Sequence, residues 1–342
     1  MADYKAIKGH NIQTVDGDPS VLQTGDIWYN SSVRKIRGAK KVAAWSSGGN
    51  LNTAKKGSGG CGIQTAALNF AGHGPSGYQQ TVESYDGSSW TEINNTNTGR
   101  NGPGGFGTLA AGMCCGGSIG PGQPGTQNTE EFDGTNWAEQ DNLTHTGRGG
   151  GAGLGTQTAG IYVAGGVPGD GAFEEVEFYD GSSWTEGADL NTGRGGRLCG
   201  WGTQTAAGTC MGTTEPSSLQ SRLCELYDGT SWTEAGDTNA GRGYSWAGGT
   251  VQTAAMVAGG DAGLPQNIPQ NYEAVEQWDG TSWTEVADLS TGRSDLTGGG
   301  PNTKAIRVGG NTFAPGFTNA TEEWDDVATA SNKILGTEFE KI

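Results

Sequence analysis

Six glutamates and six cations recur along this 342-residue chain in matched positions: Glu83, Glu130, Glu177, Glu225, Glu276 and Glu322 with Lys55, Arg100, Arg148, Arg194, Arg242 and Arg293. A carboxylate beside a cation can do acid–base chemistry, but a reaction needs one such pair. Six copies are expected instead to be a framework contact that ties strands together, with the carboxylates ionised. Three histidines, His10, His73 and His145, are scattered, and six cysteines show no C-x-x-C spacing. Cys61, Cys114, Cys115, Cys199, Cys210 and Cys224 are therefore expected to be reduced, small and buried. Asp16-Gly17-Asp18 begins like a calcium loop but lacks the later ligands and the closing glutamate. No nucleophile, base and orienting group stand at a recognisable spacing, so the sequence points to no enzyme, no metal and no cofactor.

The elements that must position these residues are legible from one phrase. YDGSSWTE stands at Tyr85 to Glu92 and again at Tyr179 to Glu186, with near copies from Phe132, Tyr227 and Trp278. Its Asp falls at 86, 133, 180, 228 and 279, and Glu323-Trp324-Asp325 extends the series, giving steps of 47, 47, 48, 51 and 46 residues. A period near 50 with paired glycines, an aromatic-Asp turn and a Trp fits a propeller repeat better than a helical solenoid. Each unit parses into four strands. In the unit from Arg148, Gly155-Thr156-Gln157-Thr158 turns the first strand, Ile161 to Gly166 runs next, Glu174 to Tyr179 is the third, and Asp180-Gly181 turns into the Trp184 strand. Asp-Gly between such runs is a strong hairpin signal, and both turn positions are expected to take positive φ. Trp45, Trp90, Trp137, Trp184, Trp232 and Trp283 are expected to pack between neighbouring sheets, supplying the core that a glycine-rich chain otherwise lacks.

Composition agrees. Sixty-four glycines argue against long helices, while 11 Trp, 9 Tyr and 8 Phe are too many rings for a disordered chain. No apolar run reads as a secretory or membrane segment, so a soluble protein is expected. The net charge of −17 disfavours nucleic acid. Residues 1–44 carry seven basic against four acidic residues, +3, while the rest carries 13 against 33, −20, so arm and body face different surroundings.

With Gly-Gly after an apolar strand, an aromatic-Asp turn, a Trp and an Arg opening the next unit, residues 40 to 326 resemble Kelch-type β-propellers. The expected fold is all-β: a six-bladed propeller over 41–326, with an arm at 1–40 and a tail at 327–342. The first unit begins at its Trp strand and the last ends without one, so residues near Lys41 to Asn50 are expected to close the last blade, leaving no exposed edge. Antiparallel strands put the short Asp-Gly and Gly-Thr-Gln-Thr turns on one face and the variable loops on the other. Recognition is expected on the loop face, at Tyr78, Phe173, Tyr272, Phe313 and Phe317. The two His, Tyr ligands and modified Tyr-Cys pair of a Kelch-type copper oxidase have no counterpart here. The Asp-box of sialidases separates Asp from Gly, whereas here they adjoin in every copy.

Residues 24–38 read as a hairpin about Asn30-Ser31-Ser32. The segment Gly25-Asp26-Ile27-Trp28-Tyr29-Asn30-Ser31-Ser32, joined to Trp-x-x-Gly-Gly-Asn-Leu-Asn-Thr repeats, is similar to Kelch-like virion proteins of tailed, marine bacteriophages. The resemblance implies a non-enzymatic structural part of the particle, in tail fibre, tail accessory or capsid decoration, assembled in the host cytoplasm. It implies docking to other virion proteins through Trp28, Tyr29, Arg34, Lys35 and Arg37, a homo-oligomer, and a loop face that meets a host-surface glycan. It implies neither nucleic-acid binding nor membrane insertion. The alternative is a free bacterial carbohydrate-binding or scaffold propeller.

Overall fold

Alternating turn signals every ten residues or so leave no room for a helix, and the described residues contain none. The computed structural model describes residues 12–22, 26–121, 125–166, 171–214, 219–261, 273–312 and 316–331. They fall into two compact units, one of Met1–Ala44 with Asp325–Ile342 and one of Trp45–Trp324.

The larger unit is a series of four-stranded antiparallel sheets, the construction of a β-propeller. Sheet 1 is Gly59–Ile63, Ala66–Phe70, Val82–Tyr85 and Trp90–Ile93; sheet 2 is Gly104–Thr108, Ala111–Cys115, Thr129–Phe132 and Trp137–Glu139. Sheet 3 is Ala152–Thr156, Ala159–Val163, Val176–Tyr179 and Trp184–Glu186, and sheet 4 is Cys199–Thr203, Ala206–Cys210, Cys224–Tyr227 and Trp232–Ala235. Sheet 5 is Trp246–Val251, Ala254–Ala258, Val275–Trp278 and Trp283–Val286. In sheet 6, Thr297–Gly299 and Lys304–Val308 are followed by Thr321–Ser331 and then by Lys35–Ser47 from the other end of the chain. Trp45 and Trp324 lie with ring centroids 5.3 Å apart, and Gly48 N donates to Thr321 O at 3.0 Å. The strand Thr321–Ser331 runs into the range expected as a tail; residues 332–342 lie outside the described residues.

First strands of successive sheets lie side by side, and that of sheet 6 lies beside that of sheet 1. Glycine permits the approach: a Cβ on Gly105 would stand 2.6 Å from the backbone N of Gly60 in sheet 1. The tryptophans span the sheet intervals as expected. Trp184 of sheet 3 donates Nε1–H to Thr129 Oγ1 of sheet 2 at 3.1 Å, Trp90 does the same to Thr321 Oγ1 of sheet 6 at 3.0 Å, and Trp137 meets Phe70 of sheet 1 at 5.0 Å. All six cysteines are free and buried, as expected.

The hairpin phrase needs one correction. In each copy only the glycine takes positive φ (Gly87, Gly134, Gly181, Gly229 and Gly280, 92° to 97°), because the loop has four residues rather than two. The Asp does different work: Asp180 Oδ1 accepts from the backbone N of Ser182 and of Ser183, each at 2.8 Å, and the other four copies repeat this. Those amides, Ser183 first, hold the Asp180 carboxyl below its ordinary range. The turn's contribution is thus complete above the ordinary Asp pKa and is lost as pH falls through the lower folded value.

The repeated glutamates and arginines join successive sheets. Glu225 of sheet 4 receives Arg194, from the segment entering that sheet, at 2.8 Å; Glu322 receives Arg293 at 2.7 Å, Glu177 receives Arg148 at 3.5 Å, and Glu130 and Glu276 receive Arg100 and Arg242. The same carboxylates accept the backbone N of Asn191 (2.8 Å), Ser290 (2.8 Å), Thr144 (2.6 Å), Asn97 (2.7 Å) and Asn239 (2.8 Å). Lys55 departs from the pattern: its hydrogen bonds go to Thr81 O at 3.0 Å and Thr81 Oγ1 at 3.3 Å, while burial lowers its pKa from 10.5 to about 8 against the weaker pull of Glu83 and Glu92.

That shift has a testable sign. Between pH 8 and 10.5 the unfolded chain holds the Lys55 proton more tightly, so the penalty for burying the charge, ~3 kcal/mol, is complete below pH 8 and is relieved as pH rises. Relative to wild type, Lys55→Arg is expected to be more stable by about 1 kcal/mol at pH 7 and to lack this alkaline gain. Urea midpoints of the two proteins at pH 7.5 and 9.5 check both; parallel pH curves would refute the assignment.

The smaller unit is the arm. Ile27–Asn30 pairs antiparallel with the start of Lys35–Ser47, the expected hairpin, and Gln13–Val15 adds a parallel strand beside Ile27–Asn30. Asp18 fastens it, accepting from Trp28 Nε1 at 3.2 Å and Asn30 Nδ2 at 2.8 Å and pairing with Arg37.

Candidate functional site

The segment that follows each repeat cation crosses to the next sheet and must turn sharply at its first strand. Gly57, Gly102, Gly150, Arg197, Tyr244 and Asp295 all hold that turn with φ between 54° and 70°, at 58°, 69°, 69°, 58°, 55° and 56°. Five backbone hydrogen bonds link them in a chain that runs from Arg197 to Gly150: Tyr244 N to Arg197 O (3.2 Å), Asp295 N to Tyr244 O (2.7 Å), Gly57 N to Asp295 O (2.7 Å), Gly102 N to Gly57 O (2.8 Å) and Gly150 N to Gly102 O (2.9 Å). Glycine suits a left-handed backbone, and three positions have it. The other three carry Arg, Tyr and Asp at a strain of about 1 kcal/mol or more each.

Their side chains converge. Arg197 donates to Asn101 Oδ1 at 2.7 Å, pairs with Asp295 at 2.7 Å and lies 5.9 Å from the Tyr244 ring. Lys56 stands 3.6 Å from the other oxygen of Asp295. Above the Phe317 ring the Lys56 ammonium is 5.8 Å from the centroid, and His73 meets Tyr78 and Phe317 edge-on at 5.1 and 5.3 Å. Burial, then Lys56 and Arg197, hold the His73 imidazole below its ordinary pKa, against Asp295. Two cations, Lys56 and Arg197, and one carboxylate, Asp295, thus act on His73 in a chain of charge −17. Beneath Arg197 a chamber of about 60 Å³, lined partly by Ser58, Ser245 and Thr297, holds no more than a few waters. Beyond it, at the Gly-Thr-Gln-Thr end of the first strands, a cavity of about 750 Å³ is lined by glycines with Ile63, Phe106, Trp201 and Trp246.

Of the five loop-face residues expected from sequence, Tyr78 and Phe317 come together around His73. Phe173 does not: it pairs through its backbone with Arg194, at the entry to sheet 4. Tyr272 and Phe313 lie outside the described residues. Among the arm residues, Arg34 and Lys35 are exposed and Tyr29 half-buried, but Trp28 is 3% exposed and Arg37 is held by Asp18. Trp28 is thus buried, with its indole N–H donating to Asp18. Lys56, Asn101, Arg197, Tyr244 and Asp295 were missed. Their signal was a departure from the repeat: Tyr244 and Asp295 stand where other units place glycine two residues after the cation, and Arg197 is an extra residue following such a glycine, Gly196.

No protein-family model matches the chain, and no curated protein is significantly similar to it. Solved structures do match: 354 chains are similar in fold, which points to a widely used architecture and not to one function. Among them is YjhT, with a TM-score of 0.64 and 13% identity over 83% of this chain and 99% of its own. At that identity the likeness carries the fold alone, an all-β chain of repeated four-stranded antiparallel sheets of the β-propeller type.

Proposed function

We propose that the chain is a non-enzymatic binding propeller of a bacteriophage particle: six blades, the last closed by the strand that leaves the arm, with the arm docked to other virion proteins and the loop face displayed to a host-surface glycan. The observation that carries the binding role is the cluster of Arg197, Asp295, Lys56, His73, Tyr78 and Phe317, assembled on the loop face from side chains in which the units differ. Asp295 is engaged by two cations, so it is better suited to ordering a polar surface than to accepting a proton. Six blades and their closure are supported by the five backbone hydrogen bonds that link the entries of sheets 4, 5, 6, 1, 2 and 3 in that order, and by the first strands of sheets 3 and 4 lying side by side. The virion role rests on the resemblance of the arm segment, and the arm's own packing leaves Arg34 and Lys35 exposed for an acidic partner.

Particles purified from an infected culture are expected to carry the chain, and Arg34→Glu with Lys35→Glu is expected to reduce its incorporation several-fold while leaving its melting temperature unchanged. Absence of the chain from purified particles, with the protein free in the lysate, would replace this reading with that of a free carbohydrate-binding propeller.

A further inference from the structure

Three of the six left-handed turns at the start of the first strands are glycine, so the scaffold asks for nothing more there. Arg197, Tyr244 and Asp295 bring side chains to a backbone that disfavours them. In the larger unit the other described non-glycine residues in this conformation, Ala71, Ala164 and Met211, are wholly buried and fill the core, while in the arm Arg34 takes it at the exposed hairpin turn. Arg197 and Asp295 are not core: their side chains are 16% and 12% exposed. The glycines opposite accommodate them, since a Cβ on Gly57 would stand 2.2 Å from the Arg197 guanidinium.

We propose that this cluster is a binding site for a sugar residue bearing a single negative charge. Lys56 and Arg197 bring two positive charges to one Asp295 carboxylate, leaving room for one further anionic group. A monoanion neutralises that excess, whereas a phosphate dianion exceeds it. A second carboxylate, Asp261, acts on Tyr244. With Nη1 on Asp295 and Nη2 on Asn101, the Arg197 guanidinium meets the anion through its charge and its remaining N–H groups, and the half-buried rings of Tyr78 and Phe317 offer apolar surface to a pyranose beside it. The chamber below Arg197 is far too small for a sugar, so the ligand sits on the loop side of Arg197. That the ligand is a sugar rests on the glycan-binding reading above; the anionic group rests on the cluster itself.

The test is titration calorimetry of the full chain with a glucuronate-terminated disaccharide, its glucose-terminated counterpart and a singly sulfated one. The uronate or the sulfate ester is expected to bind at least tenfold more tightly than the neutral sugar, and their ranking identifies the source of the charge. Arg197→Gly restores the residue type of the other turns, so it is expected to leave the melting temperature unchanged or raised while weakening the acidic ligand at least tenfold; Lys56→Gln is expected to weaken it several-fold with no loss of fold. Equal affinity for acidic and neutral sugars, or Arg197→Gly that melts earlier yet binds normally, overturns the proposal whatever the chain's place in a particle.

Discussion

Replacing Glu225 with alanine is expected to lower the unfolding free energy by about 3–5 kcal/mol, one of the two largest effects of any single substitution considered. Glu225 is 1% exposed and accepts three hydrogen bonds of 2.8 Å, from Arg194 Nη2, Asn191 N and Asn191 Nδ2. Without the carboxylate, a wholly buried guanidinium keeps its charge in a low dielectric with Leu223 O as its remaining acceptor, and the backbone N of Asn191 loses its partner while Asn191 Nδ2 keeps Trp232 O. Glu225→Gln keeps an acceptor for Asn191 but not the countercharge, so its loss should fall between the two. Replacing both partners, Arg194→Met with Glu225→Leu, should recover part of the loss, since the buried charge then disappears while the backbone N of Asn191 still lacks its acceptor. Urea denaturation of the four proteins measures each step. A loss below about 1 kcal/mol for Glu225→Ala would mean that water reaches Arg194 and that the repeated pairs do not hold successive sheets together.

Trp184→Ala is expected to cost about 3–5 kcal/mol by a different route. Its indole is 3% exposed, stacks on Tyr179 at 4.9 Å and packs in a cluster with Phe106, Met113, Cys115, Leu143 and Tyr162, residues of two sheets and their connection. Truncation opens a cavity in the interval between sheets 2 and 3 and removes the donor to Thr129. Trp184→Phe keeps most of the apolar surface and should cost only about 1–2 kcal/mol, part of it the lost hydrogen bond. If calorimetry of Trp184→Ala instead shows the wild-type melting temperature, the tryptophans are not the wedges between sheets that their spacing suggests.

Much of this was legible in the residue order because repetition is a local signal. Each phrase has the same turn, the same strand alternation and the same tryptophan, so strand pairing within a unit follows from a window of about fifty residues. The Glu and Arg positions were readable as framework for the same reason. The Asp-Gly turn shows the limit of that reading: the dipeptide signals a hairpin, but whether Asp bends its own backbone or caps two amides depends on loop length, which is fixed by where Tyr179 pairs with Trp184. Gln157 is a further case. Its amide donates to Gly112 O at 3.0 Å and Phe132 O at 2.8 Å in the preceding sheet, and Gln204 and Gln252 repeat the clasp, which a turn sequence does not announce.

The candidate site was beyond sequence reading for a stronger reason. Its aromatic members Tyr78 and Phe317 were found because variable loops attract notice, yet Lys56, Arg197 and Asp295 belong to three different sheet entries, and nothing in the spacing of residues 56, 197 and 295 says that their side chains meet. By itself the order of residues determined the strands, their hairpins, the repeat near fifty residues and the tryptophans that pack between units, all set by local hydrogen bonding and by apolar periodicity. Only the tertiary structure decided which departures from the repeat share one spot. Convergence of side chains from distant units depends on the angle accumulated from sheet to sheet and on a left-handed backbone at each entry, and neither is encoded in any single stretch of chain.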